Sequence, residues 1–161
     1  MNKIDIIYED ADVLVINKPA GLAVHGDGIS QDATLTDWLL SRYPEMIDVG
    51  ESMFSQKGVE IKKPGLVHRL DKETSGVMII AKNQESFLFL KEQFREHQVI
   101  KVYRAILSGA LKLAIGEEKV IDLPIGRSKN DPRLRVARLA GKGKLRPAEP
   151  SFSLLANLGD K

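Results

Sequence analysis

Apolar and polar residues change their period several times along the chain, and each change marks an element. IDIIY (residues 4–8) and DVLVINK (12–18) are short and rich in branched side chains. This predicts two β-strands joined in a hairpin at the acidic turn Glu9, Asp10, Ala11. In TLTDWLLSRYP the period shifts to that of a short helix. Leu35, Trp38 and Leu39 recur at helical spacing, Thr34 and Asp37 form a capping box with Asp in place of Glu or Gln, and Pro44 stops the run. Residues 45–64 hold no sustained period and contain two glycines and a proline, so a long connection is expected there. VMIIAK (77–82) is a strand of the buried type, after which Asn83 caps a helix with Phe87, Leu90 and Phe94 on one core-forming stripe. VIKVYRAILSG (99–109) alternates, with Lys101, Tyr103, Ala105 and Leu107 on one face and Ile100, Val102, Arg104 and Ile106 on the other. It predicts another strand. VIDLPI (120–125) and LRVARL (134–139) are further short strand candidates. Strands and helices mingle without an internal or βαβ repeat, so the expected class is α+β, a mixed, largely antiparallel sheet flanked by helices.

Composition narrows the chemistry. With 161 residues, 43% hydrophobic and 29% charged, the chain suits one core and one domain, or most of one. No run approaches the roughly 18 apolar residues of a membrane span. The N-terminus MNKIDIIYED is too polar for a signal peptide, so a cytoplasmic location with no membrane partner is expected. Cysteine is absent, which excludes disulfides and thiolate metal sites, and three scattered histidines are poor material for a metal centre. There is no GxGxxG or Walker sequence. Chemistry without metal or cofactor is expected.

The net charge of +2 is unevenly spread. Between Pro124 and Arg146 stand eight cations, Arg127, Lys129, Arg133, Arg135, Arg138, Lys142, Lys144 and Arg146, against the single anion Asp131. Acids outnumber bases in the remainder. A basic block on a mildly acidic body suits a polyanion such as nucleic acid, and it equally suits a solvated basic loop.

GLVHRLDKETSG (residues 65–76) sets Asp71 behind a histidine and an arginine where an apolar run breaks into a turn. Taken alone, Asp71 fits a turn or cap residue, since turns select Asp, Thr, Ser and Gly. It also fits a catalytic carboxylate.

INKPAGLAVHG (16–26), then GLVHRLDKETSGVMIIAK (65–82), then KVYRAILSG (101–109) stand in the order and approximate spacing that resembles the RluA-type RNA pseudouridine synthases. HRLDxxTSG is the specific motif; KPxGxxVH and KxY add weight through their order. The resemblance runs from about residue 5 onward. It implies isomerisation of selected uridines in ribosomal or transfer RNA, the bond from ribose to uracil nitrogen being exchanged for one to a ring carbon.

The resemblance makes Asp71 the nucleophile, a role that calls for an ionised, shielded carboxylate. It has Arg69 enter the RNA in place of a flipped uridine, consistent with the cost of unstacking a target base. Arg69 also stands close enough in sequence to keep Asp71 anionic. Tyr103 is implied to contact the target uracil and to take part in proton removal. A phenol of ordinary pKa near 10 is a poor base at neutral pH, so positioning is the role expected. Lys101 shares its strand face. His68 is expected at the substrate or on the loop backbone. Lys18, Pro19 and Gly21 form a turn near the cleft with an architectural role, and His25 is followed by Gly26 where relatives often have proline. The basic residues Arg127, Lys129, Arg133, Arg135 and Arg138 are expected along the RNA backbone.

In the family a TGR-S/T-HQ-I/L-R-type motif supplies an arginine that pairs with the aspartate, and these residues do not contain it. FSLLANLGDK (152–161) reads as the start of the strand leading toward it. The expectation is therefore an incomplete catalytic domain, its C-terminal part missing, inactive by itself and monomeric when complete. The alternative is a non-catalytic RNA-binding remnant. A carboxylate-pair glycoside hydrolase lacks a second acid with motif support.

Overall fold

The computed structural model describes residues 4–26, 30, 32–54, 58–109, 111–128, 135–137, 145–146 and 150–157. The chain divides into two compact units, Met1–Tyr103 and Arg104–Lys161.

In the first unit β1 (Asp5–Glu9) and β2 (Val13–Lys18) form the expected antiparallel hairpin. Asp10 builds its turn, the carboxylate accepting from the Asp12 and Val13 amides at 2.8 and 2.7 Å. On its other side β2 pairs antiparallel with β5 (Gly76–Ala81), giving the strand order β1-β2-β5. The register sets Leu14 opposite Ile80 and Ile16 opposite Met78, and all four are fully buried. They join Leu35 and Leu39 of α1 (Leu35–Arg42) and Met46 of a 3-10 turn (Pro44–Asp48) in one core cluster with Val24, Tyr43 and Leu70. Burying each such aliphatic side chain stabilises the fold by about 1.5–3 kcal/mol.

The helix caps follow the sequence. The Thr34 amide donates to the Asp37 carboxylate at 2.7 Å, and the Asp37 amide returns to Thr34 Oγ1 at 3.4 Å. Asn83 accepts from the Ser86 amide at 2.9 Å to start α2 (Gln84–Arg95), and its amide nitrogen donates to Asp12 at 2.8 Å, tying that cap to the first hairpin. Residues 45–64 hold the 3-10 turn and a two-residue antiparallel pair, β3 (Met53–Phe54) with β4 (Glu60–Ile61).

The outer edge of β5 is covered by the segment that begins the HRLD motif. Gly65 O accepts from the Ala81 amide at 3.0 Å, Leu66 bridges antiparallel to Ile80, and His68 Nε2 accepts from the Ile79 amide at 3.1 Å. Only glycine fits at position 65. Its φ is +63°, and a Cβ there would lie 2.0 Å from the Ala81 carbonyl oxygen. An edge that would otherwise stand open is thereby closed by the HRLD segment itself.

In the second unit β6 (Glu118–Val120) pairs antiparallel with β10 (Ser151–Ser153). Strand β7 (Ile125–Arg127) lies antiparallel between β8 (Arg135–Ala137) and β9 (Leu145–Arg146). All named strand pairs are antiparallel, as expected.

Two strand expectations are corrected. VIDLPI is not one strand: Val120 ends β6, Ile125 begins β7, and between them Pro124 has no amide to give a ladder. Residues 99–109 form no strand, and Ile100, Val102 and Ile106 stand 84–90% exposed. Alternation equips a segment to pair, but a ladder also needs a partner edge, and none of the described strands pairs with this one.

Candidate active site

Leu70 is the anchor on which the site is built. It is buried in the core cluster, while its neighbours Arg69 and Asp71 are exposed, as expected where successive side chains of an extended segment alternate. Arg69 and Asp71 therefore leave the surface together. Arg69 Nη2 lies 4.0 Å from Asp71 Oδ1, with side chains 63% and 88% exposed, a geometry worth under about 1 kcal/mol. After Asp71 the chain turns, the Thr74 amide donating to Asp71 O at 3.1 Å. The turn expectation and the placement beside Arg69 are both met. The shielding that a nucleophile requires is not met within these residues, because the carboxylate stands open.

A buried ammonium fastens this loop. Lys18 continues the inward face of Leu14 and Ile16 and is 0% exposed. Its Nζ donates to Pro19 O and Leu22 O, each at 2.8 Å, and to Lys72 O at 3.1 Å. The Gly21 amide donates to the same Lys72 carbonyl at 2.8 Å. The KPAG turn and the residue after Asp71 are thus joined by one cation and one amide. Burial lowers the Lys18 pKa, and the carboxylates of Glu73 and Asp71 act against that shift. An architectural role is what the KPAG turn led us to expect of Lys18; its direct grip on the Asp71 loop is what sequence reasoning missed.

His25 is the second residue brought to this place. Its Nδ1 stands 2.8 Å from Gly26 O, so it carries the proton and donates, which leaves Nε2 as the acceptor facing Arg69 Nη1 at 3.4 Å. Burial lowers the His25 pKa; the Gly26 contact opposes this, and Lys63 and Arg69 reinforce it.

His68 faces inward. Because Nε2 accepts from Ile79, its ring is also neutral with the proton on Nδ1, and burial followed by the nearby Lys101 charge lowers its pKa. The ring stacks on Phe94 at 4.7 Å with planes 13° apart. Lys101 Nζ lies 5.5 Å from the centroid of that same Phe94. Phe94 therefore links the HRLD segment to the KxY segment. Tyr103, two residues further on, is 64% exposed.

Of the basic block, Arg127 and Arg135 are paired residues of β7 and β8. Their side chains, and Lys129, Arg133 and Arg138 altogether, lie outside the described residues. Among the described residues no group of three or more His, Asp or Glu side chains could hold a metal ion, and no helix is long and apolar enough to cross a membrane.

Similarity to known proteins covers this whole arrangement. Residues 12–157 match the family model described as RNA pseudouridylate synthase. An Aquifex aeolicus protein named an uncharacterized RNA pseudouridine synthase is 41% identical over 142 residues, spanning 88% of this chain and 41% of that protein. A Borreliella burgdorferi protein named ribosomal large subunit pseudouridine synthase D is 38% identical over 159 residues, spanning 98% of this chain and 44% of that one. The solved structure of human RNA pseudouridylate synthase domain containing 1 superposes with a TM-score of 0.65 at 25% identity, over 91% of this chain and 50% of that one. The chain thus spans less than half the length of these two curated relatives. Motif order, the α+β fold and the match over nearly the full chain agree: the chain belongs to the RNA pseudouridylate synthase family.

Proposed function

We propose that the protein carrying this chain converts selected uridines of RNA to pseudouridine, with Asp71 as the nucleophile. In that reaction the bond from C1′ of the ribose to N1 of uracil breaks and a bond from C1′ to C5 forms. The C5 proton passes to solvent and N1 gains one. Asp71 supplies the carboxylate for this attack on a backbone held by Lys18 and Gly21. Arg69, extending beside it, fills the space left by the flipped uridine, and Tyr103 contacts the base, with Lys101 alongside. His68 supports the segment from within. The basic residues from Arg127 to Arg138 follow the RNA backbone. Ribosomal RNA is the favoured substrate, in keeping with the name of the Borreliella relative, and transfer RNA is the other.

The observation that carries this reading is the coincidence of motif and clamp: Asp71 sits in the motif, on a loop held by Lys18 and Gly21 of the preceding motif. One observation favours the second reading, RNA binding without turnover, namely the 88% exposure of the Asp71 side chain. Tritium release by the wild-type protein separates the two, and Asp71→Asn then tests the nucleophile. It retains the turn and removes the anion, so tritium release from RNA labelled at uridine C5 falls to background while stability barely moves. Turnover by the variant near that of the wild type would refute the nucleophile assignment.

A further inference from the structure

We infer that His25 is a positioning residue for Arg69, holding the guanidinium beside Asp71 through a neutral imidazole and releasing it when the ring is protonated. The inference rests on the proposed role of Arg69 in the RNA. Hydrogen-bond arithmetic carries it. Gly26 O can only accept, so the Nδ1 contact at 2.8 Å fixes the proton on that nitrogen. Nε2 is then a lone-pair acceptor, and Arg69, which can only donate, meets it at 3.4 Å. A protonated ring has no acceptor left to offer and sets a second cation against the guanidinium. Among the described residues the charged groups acting on His25 are Lys63 and Arg69, both cations, and both favour the neutral ring. His25 comes from the segment after β2 and Arg69 from the HRLD segment, so the contact spans 44 residues of chain and is not an accident of local sequence.

The geometry explains a choice of residue type. Arginine beside a lone carboxylate can collapse onto it, leaving the anion paired and the guanidinium unavailable to the RNA. Here the Arg69–Asp71 distance is 4.0 Å and the imidazole offers a competing acceptor. His25 thus keeps Arg69 ordered and Asp71 unencumbered. Acid would free the guanidinium, in a pH range below the ordinary histidine value because His25 is shifted down.

The test uses three substitutions in the whole protein. His25→Gln keeps an acceptor toward Arg69 and cannot titrate; His25→Phe keeps the ring shape and removes both polar contacts; Arg69→Ala removes the guanidinium. In the wild type, the guanidinium 15N–1H resonances of Arg69 should shift with pH along the His25 titration, and His25→Gln should abolish that shift. His25→Phe should lower turnover of a structured RNA about two- to fivefold, the range expected for a largely exposed contact, and less on a short unstructured RNA with the same uridine. In the Arg69→Ala background, His25→Phe should add nothing. Arg69 resonances indifferent to the His25 titration, or losses that simply multiply in the double variant, would overturn the inference. Failure of the Arg69 reading looks different: Arg69→Ala would then cost equally on both RNAs, while the His25-linked shift of its resonances would still decide the contact.

Discussion

Replacing Lys18 by Met tests the clamp at its centre. Methionine fills nearly the same volume and lacks the ammonium, so Pro19 O and Leu22 O lose their only donor among the described residues, whereas Lys72 O keeps the Gly21 amide. Two part-buried acceptors left unsatisfied cost up to about 1–3 kcal/mol each. Against this, the folded state no longer has to desolvate a cation, a penalty of several kcal/mol for a buried ion, which offsets part of the loss. A net destabilisation of at most about 4 kcal/mol follows. At a urea m-value of about 2 kcal/mol/M, this lowers the unfolding midpoint by at most about 2 M. A second readout separates loop release from global weakening. The Gly21 amide donates to a carbonyl that Lys18 also holds, so its hydrogen exchange should accelerate in the variant far more than that of Leu14 within the β2 ladder. Turnover should fall through kcat rather than KM, because the Asp71 loop loses its register. Gly21 protection unchanged relative to Leu14 would refute the clamp.

Gly65→Ala should cost about 3 kcal/mol or more, since the new Cβ meets the Ala81 carbonyl oxygen and the backbone φ is left-handed; thermal unfolding tests it, and a loss under about 1 kcal/mol would show that the crossing over β5 gives way. His68 has a folded-state pKa below that of the unfolded chain, so between the two values the unfolded state holds more protons and stability rises with pH. Acidification from the ordinary histidine value down through the folded value should therefore destabilise the protein. His68→Gln, which can still accept from Ile79, should flatten the dependence by up to about 1.4 kcal/mol per pH unit, read from urea midpoints between pH 7 and 5. Neutralising Arg133, Arg135 and Arg138 together should weaken RNA binding and reduce the slope of log K against log salt by about 0.7 for each single-strand phosphate that is no longer neutralised. An unchanged slope would make the block a solvated loop.

The elements that could be read from the sequence are those whose signal is local. Strand β2 and the strand Gly76–Ala81 are apolar runs bounded by turn residues, and both helices carry side-chain caps at Thr34 and Asn83. The α+β class follows from them. VIDLPI failed on a local signal, Pro124, but the other failures depend on a distant partner. Residues 99–109 alternate as well as any strand in the chain, yet alternation states only that a segment could pair. The covering of the β5 edge was equally invisible, because it is made by an irregular stretch whose key residue, Gly65, contributes nothing but its missing Cβ.

The site divides along the same line, and Lys18 shows where a stronger sequence argument was available. Leu14, Ile16 and Lys18 share one parity on β2, so the period that buries the first two also buries the third. A lysine in phase with a core face must find acceptors for all its protons, and at the end of a strand the only acceptors in reach are loop carbonyls. Parity alone therefore predicts a cation that organises loops, without saying which ones. The HRLD motif answers the second half. Leu70 buries, which forces Arg69 and Asp71 outward, and the loop must return to the sheet at Gly76, opposite Lys18 in the ladder. The register between β2 and β5 thus delivers the Asp71 loop to the end of the strand where the buried ammonium lies. Two motifs separated by about fifty residues meet because one ladder sets both of their positions, and this is a property of pairing that neither motif carries by itself.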